Sequence, residues 1–229
     1  MQLRADGFHA SCGSRHCRDF WLTDRMQTKA SASRVTAPIE DEADGRRQRS
    51  SRSREQIVRA MIELIRAGEM QPAAARVAEK ANVGLRTVFR HFEEMDTLNR
   101  EISAIVEAEI LPLVEKPFEG KTWRIQMDEL LERRAHIYER VMPLKIAGSL
   151  QRFRSHFLMD DYNRFLRMER QGLKRVLPAK IMNDPVLFAA IEMATGFQAW
   201  RRLRQDQRLS VADSLKVVRF TVERLVAGK

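Results

Sequence analysis

Between residues 54 and 92, apolar side chains recur three times at helical spacing, and each stretch stops at a residue suited to ending a helix. Ile57, Met61, Leu64 and Ile65 fall at i, i+4, i+7 and i+8, which predicts a helix over about Arg54–Ala67. Ser53 and Gln56 stand at capping-box spacing before it, and Gly68 suits the left-handed residue that closes it. A second, short helix is expected after Pro72, from Ala73 to Ala81, with Val77 and Ala78 turned inward. Asn82-Val83-Gly84 then makes a tight turn, because Asn tolerates positive φ and Val83 can plug the small core beneath it. A third helix runs from Leu85 to Phe92. Two short helices joined across such a turn form a helix-turn-helix.

Behind it the pattern remains helical. Six further helices are expected near residues 95–116, 122–141, 144–158, 160–177, 184–205 and 210–227. Pro117 and Gly120 end the first, Pro143 interrupts the second, and Pro178 follows the fourth. Asp184-Pro185 reads as an N-cap followed by proline in the first turn, and Ser210 to Asp213 as another cap. Good helix formers dominate, and runs of alternating Val, Ile and Thr are missing, so the fold class is all-α. With 44% hydrophobic residues the chain can bury a sizeable core. The expected organisation is a disordered basic tail over 1–50, a three-helix helix-turn-helix domain over 51–98, and a second helical domain over 99–229.

Charge points to the partner. The chain carries a formal +10, and +7 of it lies between Gly45 and Phe92, where ten Arg and Lys80 face four Glu. A cationic surplus concentrated on a helix-turn-helix is the footprint of phosphate contact. Five arginines, Arg46, Arg47, Arg49, Arg52 and Arg54, form a basic arm leading into the first helix, suited to a groove or a phosphate backbone or simply to solvent. Cys12 and Cys17, with His9 and His16 nearby, have C-x4-C spacing without a second pair, so no metal is expected, nor any disulfide framework. No apolar run is long enough for a membrane span and no h-region opens the chain, so a cytoplasmic protein without a membrane partner is expected. Gly-rich phosphate loops, H-E-x-x-H and G-x-S-x-G are all missing, so no enzyme, catalytic residue or cofactor is expected.

The stretch Ile57-x-x-Ala60-Met61-x-x-Leu64-Ile65-x-Ala67-Gly68, then Val77-Ala78-x-x-Ala81-Asn82-Val83, Thr87-Val88-Phe89-Arg90-His91-Phe92 and Thr97-Leu98 resembles the N-terminal domain of TetR-family transcriptional regulators over about 45 residues in register. Residues Gly196 to Leu209, with Phe197, Trp200 and Leu203, resemble more loosely the penultimate helix of many such regulators. Three positions depart from the family pattern. Phe89 stands where Tyr is usual, Met95 where Lys is frequent, and Ala73, Ala74 and Ala75 where the second helix commonly opens with Thr or Ser. Each departure removes a phosphate contact, and Arg76 and the basic arm are expected to compensate.

A recognition helix presents its N-terminal residues to base edges in the major groove. Leu85, Arg86, Thr87, Phe89, Arg90 and His91 lie along the third helix. Arg86 or Arg90 can grip guanine O6 and N7 or a phosphate, and Thr87 a phosphate or a thymine methyl. Phe89 and His91 match the family positions that pack on the sugar–phosphate backbone, although His91 also suits packing beside the next helix. With Arg76, Arg52 and Arg54 these are the candidate DNA contacts. The resemblance further implies a homodimer on a palindromic operator. Val211, Leu215, Val218, Val222 and Leu225 form a heptad-like seam for it, the alternative being a stripe facing the chain's own core. It also implies a small-molecule effector, for which Met127, Tyr138, Met142, Phe153, Phe157, Phe165, Met168 and Phe197 supply an adaptable lining or an ordinary core. The implied activity is that of a ligand-released repressor. The other reading is an architectural DNA-binding protein without an effector.

Overall fold

A computed structural model describes residues 40–93 and 95–227; for 40–47 and 49 it describes the backbone alone. The described residues are helical, with no strand among them. In chain order the helices are α1 (Glu40–Arg66), α2 (Ala74–Ala81), α3 (Leu85–Phe92), α4 (Met95–Glu115), α5 (Trp123–Gln151), α6 (His156–Val176), α7 (Ala179–Met182), α8 (Pro185–Thr195), α9 (Phe197–Arg201) and α10 (Val211–Leu225). Between α9 and α10, Arg202–Asp206 widens into a π-helical turn.

The first three helices follow the apolar pattern. Ile57, Val58, Met61, Ile62 and Leu64 of α1 are buried against Val77, Ala78 and Ala81 of α2 and Val88 of α3. Both intervening turns are Schellman motifs, in which a left-handed residue lets two backbone N–H groups cap the last carbonyls. At the end of α1, Gly68 has φ 106°, with Glu69 N donating to Leu64 O and Gly68 N to Ile65 O, each at 3.0 Å. At the end of α2, Asn82 has φ 51°, with Val83 N donating to Ala78 O at 3.0 Å and Asn82 N to Glu79 O at 3.2 Å. Asn82 therefore turns the chain as its sequence position requires, and Val83 packs against the core beneath it.

Several boundaries differ from the pattern reading. The helix expected from Arg54 is already formed at Glu40, so residues 40–50 are helical and Ser53 sits mid-helix rather than in a capping box. The arginines and glutamates there are good helix formers, no proline interrupts the segment, and Gly45 is the one poor helix former it carries. The rest of the expected tail, with Cys12 and Cys17, lies outside the described residues. Pro143 does not divide the middle helix. α5 continues through it to Gln151, because a proline removes one backbone bond while buried Val141, Met142 and Ala147 on both sides hold the helix in place. Pro112 is carried within α4 in the same way. The helix expected over 184–205 is split at Gly196. Side-chain caps start α5 (Thr122), α6 (Ser155), α8 (Asp184, followed by Pro185) and α10 (Ser210).

From Gly45 onward the described chain forms one unit with a shared core, into which Leu98, Ile102, Val106 and Ile110 of α4 are buried. Behind the first three helices, α5 packs on α6 and α10, α4 lies against α5 and α6, and α8 is held between α10 and α6. No described helix is long and apolar enough to cross a membrane.

The two glycines beside the short helices separate backbone strain from packing. Nothing lies within 4 Å of a Cβ added at Gly68, so Gly68→Ala should lose stability through its positive φ alone, by about 1 kcal/mol. Gly84 has φ −65° and a first neighbour at 3.9 Å, so Gly84→Ala should change stability by less than half as much. Urea denaturation of the two variants against the parent measures both.

Candidate nucleic-acid interface

The three-helix unit holds α3 by one face and leaves the other to solvent. Val88 and His91 point inward and are buried, whereas Leu85, Arg86, Phe89 and Arg90 are exposed and Thr87 is half-buried. Positions 85, 86, 89 and 90 form one continuous stripe along the helix, because residues four apart lie above one another. Phe89 is 55% exposed, so a large ring stands in water on the same helix face as Arg86 and Arg90. His91, expected at the sugar–phosphate backbone, is instead only 9% exposed. It lies three residues after Val88 on the inward face and belongs to the packing under the helix. Neither α2 nor α3 has a side-chain cap at its start; in α3 the Thr87 N–H is already given to the Gly84 carbonyl at 2.9 Å, which leaves the N–H groups before it for an anion.

The remaining basic candidates divide. Arg52 is exposed on α1. Arg54 is bound at 2.5 Å to Glu101 of α4 and ties the two helices together. Arg76 is exposed on α2, but its guanidinium bonds Glu79 at 2.5 Å and Glu69 at 3.4 Å, and these carboxylates raise its pKa. A phosphate would have to displace them. Lys80 pairs with Glu63 at 2.9 Å. The side chains of Arg46, Arg47 and Arg49 lie outside the described residues.

The aromatic and methionine residues of the expected effector pocket divide similarly. Met127, Tyr138, Met142, Phe157, Phe165 and Phe197 are buried, and Met168 is partly buried against the core. Phe165 and Phe197 meet edge to face at 5.9 Å between ring centres, and Tyr138 and Phe197 at 5.6 Å. Phe153, in the α5–α6 connection, is 77% exposed and lies away from this group.

At the centre of the helical body is a buried polar network that the sequence reading missed. Arg134 donates to the Thr195 hydroxyl at 2.6 Å, to the Thr195 carbonyl at 3.1 Å and to the Glu169 carbonyl. Glu169 accepts from the Tyr138 hydroxyl at 2.5 Å and from Phe197 N–H at 2.7 Å. Burial pushes the Glu169 carboxyl above its ordinary range despite the nearby Arg134 charge, and it pushes the Tyr138 hydroxyl well up. The available signal was an Arg and a Glu set into apolar helical stripes, Arg134 four residues before Tyr138 and Glu169 four after Phe165.

Polar ties also link α4, which follows α3, to α6. The Ser155 hydroxyl caps α6 and donates to Asp96 at 2.6 Å. Asp161 accepts from Lys145, Arg164 and Ser103. Burial would raise the Asp161 carboxyl, but the two cations outweigh it and hold it low.

The seam on α10 faces inward. Val218 and Val222 are buried in the chain's own core, Leu215 and Leu225 pack against it, and among the five only Val211 is exposed. The free apolar face lies about one position away. Val217 and Phe220 of α10, with Phe220 57% exposed, and Val186 and Met193 of the adjoining α8, with Met193 74% exposed, stand in solvent. The heptad reading had registered the core stripe of this helix.

No family model and no curated protein matches the sequence. Among solved structures, the fold is similar to the crystal structure of a transcriptional regulator from Rhodococcus sp. Rha1, with a TM-score of 0.56 and 18% identity over 76% of this chain and 96% of that one. At that identity the likeness is one of fold.

The raised pKa of Glu169 sets a direction for stability against pH. Below the ordinary glutamate range both folded and unfolded states hold the proton, and the contribution of this group is complete. As pH rises through the raised folded value the folded state must ionise a buried carboxyl, and the contribution is lost. Glu169→Gln keeps an acceptor for Tyr138 and Phe197 and removes the ionisation. Urea unfolding from about pH 4 to about pH 8 should show the parent losing stability relative to Glu169→Gln as pH rises.

Proposed function

We propose that the chain is a DNA-binding transcriptional regulator of the TetR type, a homodimer that holds a palindromic operator and is released from it by a small molecule. The observation that carries this reading is the exposed stripe Leu85, Arg86, Phe89 and Arg90 on the second helix of a helix-turn-helix whose turn is closed by a left-handed Asn82. The fold likeness to a solved transcriptional regulator supports it. Arg86 and Arg90 lie one turn apart and can reach base edges or phosphates of one major groove, while Phe89 between them packs against a deoxyribose or a thymine methyl. Open N–H groups at the starts of α2 and α3 add phosphate contacts where the alanines of α2 supply none.

One eight-residue helix reads too few base pairs for a unique site, so a second subunit is required. The apolar face of Val186, Met193, Val217 and Phe220 suits that role, since two adjoining helices that leave large side chains in water can bury them against their own copy. The helical body behind the reader is the region to which an effector would bind. Repression released by that effector follows if the ligand favours an arrangement in which the two readers no longer match one face of the DNA.

The reading is tested by fluorescence anisotropy on DNA from upstream of the protein's own coding sequence, against a scrambled duplex, at two salt concentrations. Arg86→Ala or Arg90→Ala should weaken specific binding roughly tenfold or more, and should flatten the salt dependence where the lost contact is to phosphate. Phe220→Glu should convert the dimer to a monomer by light scattering and weaken operator binding with it. Equal binding to both duplexes would favour an architectural role.

A further inference from the structure

An open cleft of about 500 Å³ lies between the last turn of α1 and the middle of α5, lined by Arg66, Glu109, Glu139, Arg140 and Pro143. Its size is within the range of small-molecule sites. It opens on the face of α5 that carries residues 139, 140 and 143, not on the face where Tyr138 and Met142 are buried in the core.

The charges of the lining are unequally engaged. Glu109 is paired with Arg66 at 2.7 Å. Glu139 accepts from Trp200 Nε1 at 2.8 Å and from Arg204 Nε and Nη2 at 2.8 and 3.0 Å, a bidentate grip from the π-helical turn. Arg140 is exposed, and no carboxylate among the described residues pairs with it. Both acids of the cleft are thus neutralised within the fold, while a guanidinium, a group that matches the geometry of a carboxylate, faces the space unoccupied. Pro143 adds a second feature. It has no N–H, so the Glu139 carbonyl one turn earlier lacks its usual helical donor.

We propose that this cleft is the effector site and that it takes a small organic acid, whose carboxylate is held by Arg140 and which offers a hydrogen-bond donor to the Glu139 carbonyl. The proposal rests on the regulator reading for the word effector, but not for the binding itself. It also supplies a route to the reader. Arg66 is at the end of α1, which carries the core of the helix-turn-helix, and Glu109 is on α4, which follows the recognition helix. A carboxylate at Arg140 competes with Glu109 for Arg66, exchanging an α1–α4 tie for an α1–α5 tie. Such an exchange changes DNA affinity by the difference in ligand binding between the two arrangements.

The test uses the full chain with glycolate, 6-hydroxyhexanoate and salicylate, acids that also carry a hydroxyl donor, each beside its uncharged hydroxy-amide at constant ionic strength, read by thermal shift and by titration calorimetry. At least one carboxylate should raise the melting temperature while its amide does not. Arg140→Gln should weaken that carboxylate at least about tenfold and leave the ligand-free melting temperature unchanged. Arg140→Lys, which keeps the charge without the fork, should bind with intermediate strength. Failure of every carboxylate to exceed its amide, or undiminished binding by Arg140→Gln, overturns the proposal. DNA anisotropy without any carboxylate tests the regulator reading separately, since Arg140→Gln should bind the operator as the parent does. Loss of DNA binding by the parent would remove the regulator reading while leaving the carboxylate result in force.

Discussion

Burying Arg134 and Glu169 inside a helical body constrains everything packed around them. A charge taken out of water costs several kcal/mol unless its hydrogen-bonding capacity is met. Here it is met only if α5, α6, α8 and the start of α9 arrive together. Arg134 needs both oxygens of Thr195 and the carbonyl of Glu169; Glu169 in turn needs the Tyr138 hydroxyl and the N–H of Phe197. Gly196 fits the same requirement. An added Cβ there would stand 3.1 Å from the Glu192 carbonyl and within 3.9 Å of the Glu169 carboxylate, where the chain passes from α8 into α9. Such a network gives little net stability but penalises any packing in which one member is missing. It fixes a single arrangement of the body, against which the three-helix unit and α10 are placed.

That rigidity bears on where a ligand can act. The interior aromatic residues are locked by ring contacts and by the network, so entry there would break satisfied bonds. The cleft beside Pro143 asks for less. Its walls are surface ion pairs of modest worth, and one of them joins the end of α1 to α4. The proposed ligand site thus lies where the structure is weakly held, beside a scaffold that is strongly held.

Much of this was legible in the sequence because local physics decided it. Gly68, Asn82, Asp184-Pro185 and Ser210 announce their turns and caps through side-chain chemistry that tertiary packing does not override. The exposed stripe of α3 followed from its spacing. The misreadings share one cause. Pro143, Ser53 and the α10 heptads each carry a local signal that packing or context outweighs. A proline costs one bond and is retained where a buried helix pays for it. A cap spacing is idle inside a longer helix. A heptad stripe cannot say which of two apolar surfaces it faces. His91 failed for the same reason, since an imidazole three residues after Val88 reads equally as a backbone contact and as core. Glu169 and Arg134 were overlooked because a charge inside an apolar stripe is visible in sequence while its partners, dozens of residues away, are not.

The central claim is that two copies of α3, held by a dimer, read one face of a duplex. Hydroxyl-radical footprinting of the intact protein on its own upstream DNA tests it most directly. The account requires two protected patches related by a two-fold axis, with centres about one helical turn or a whole number of turns apart, and loss of both patches at high salt. Unbroken protection without symmetry, or protection that ignores sequence, would contradict it.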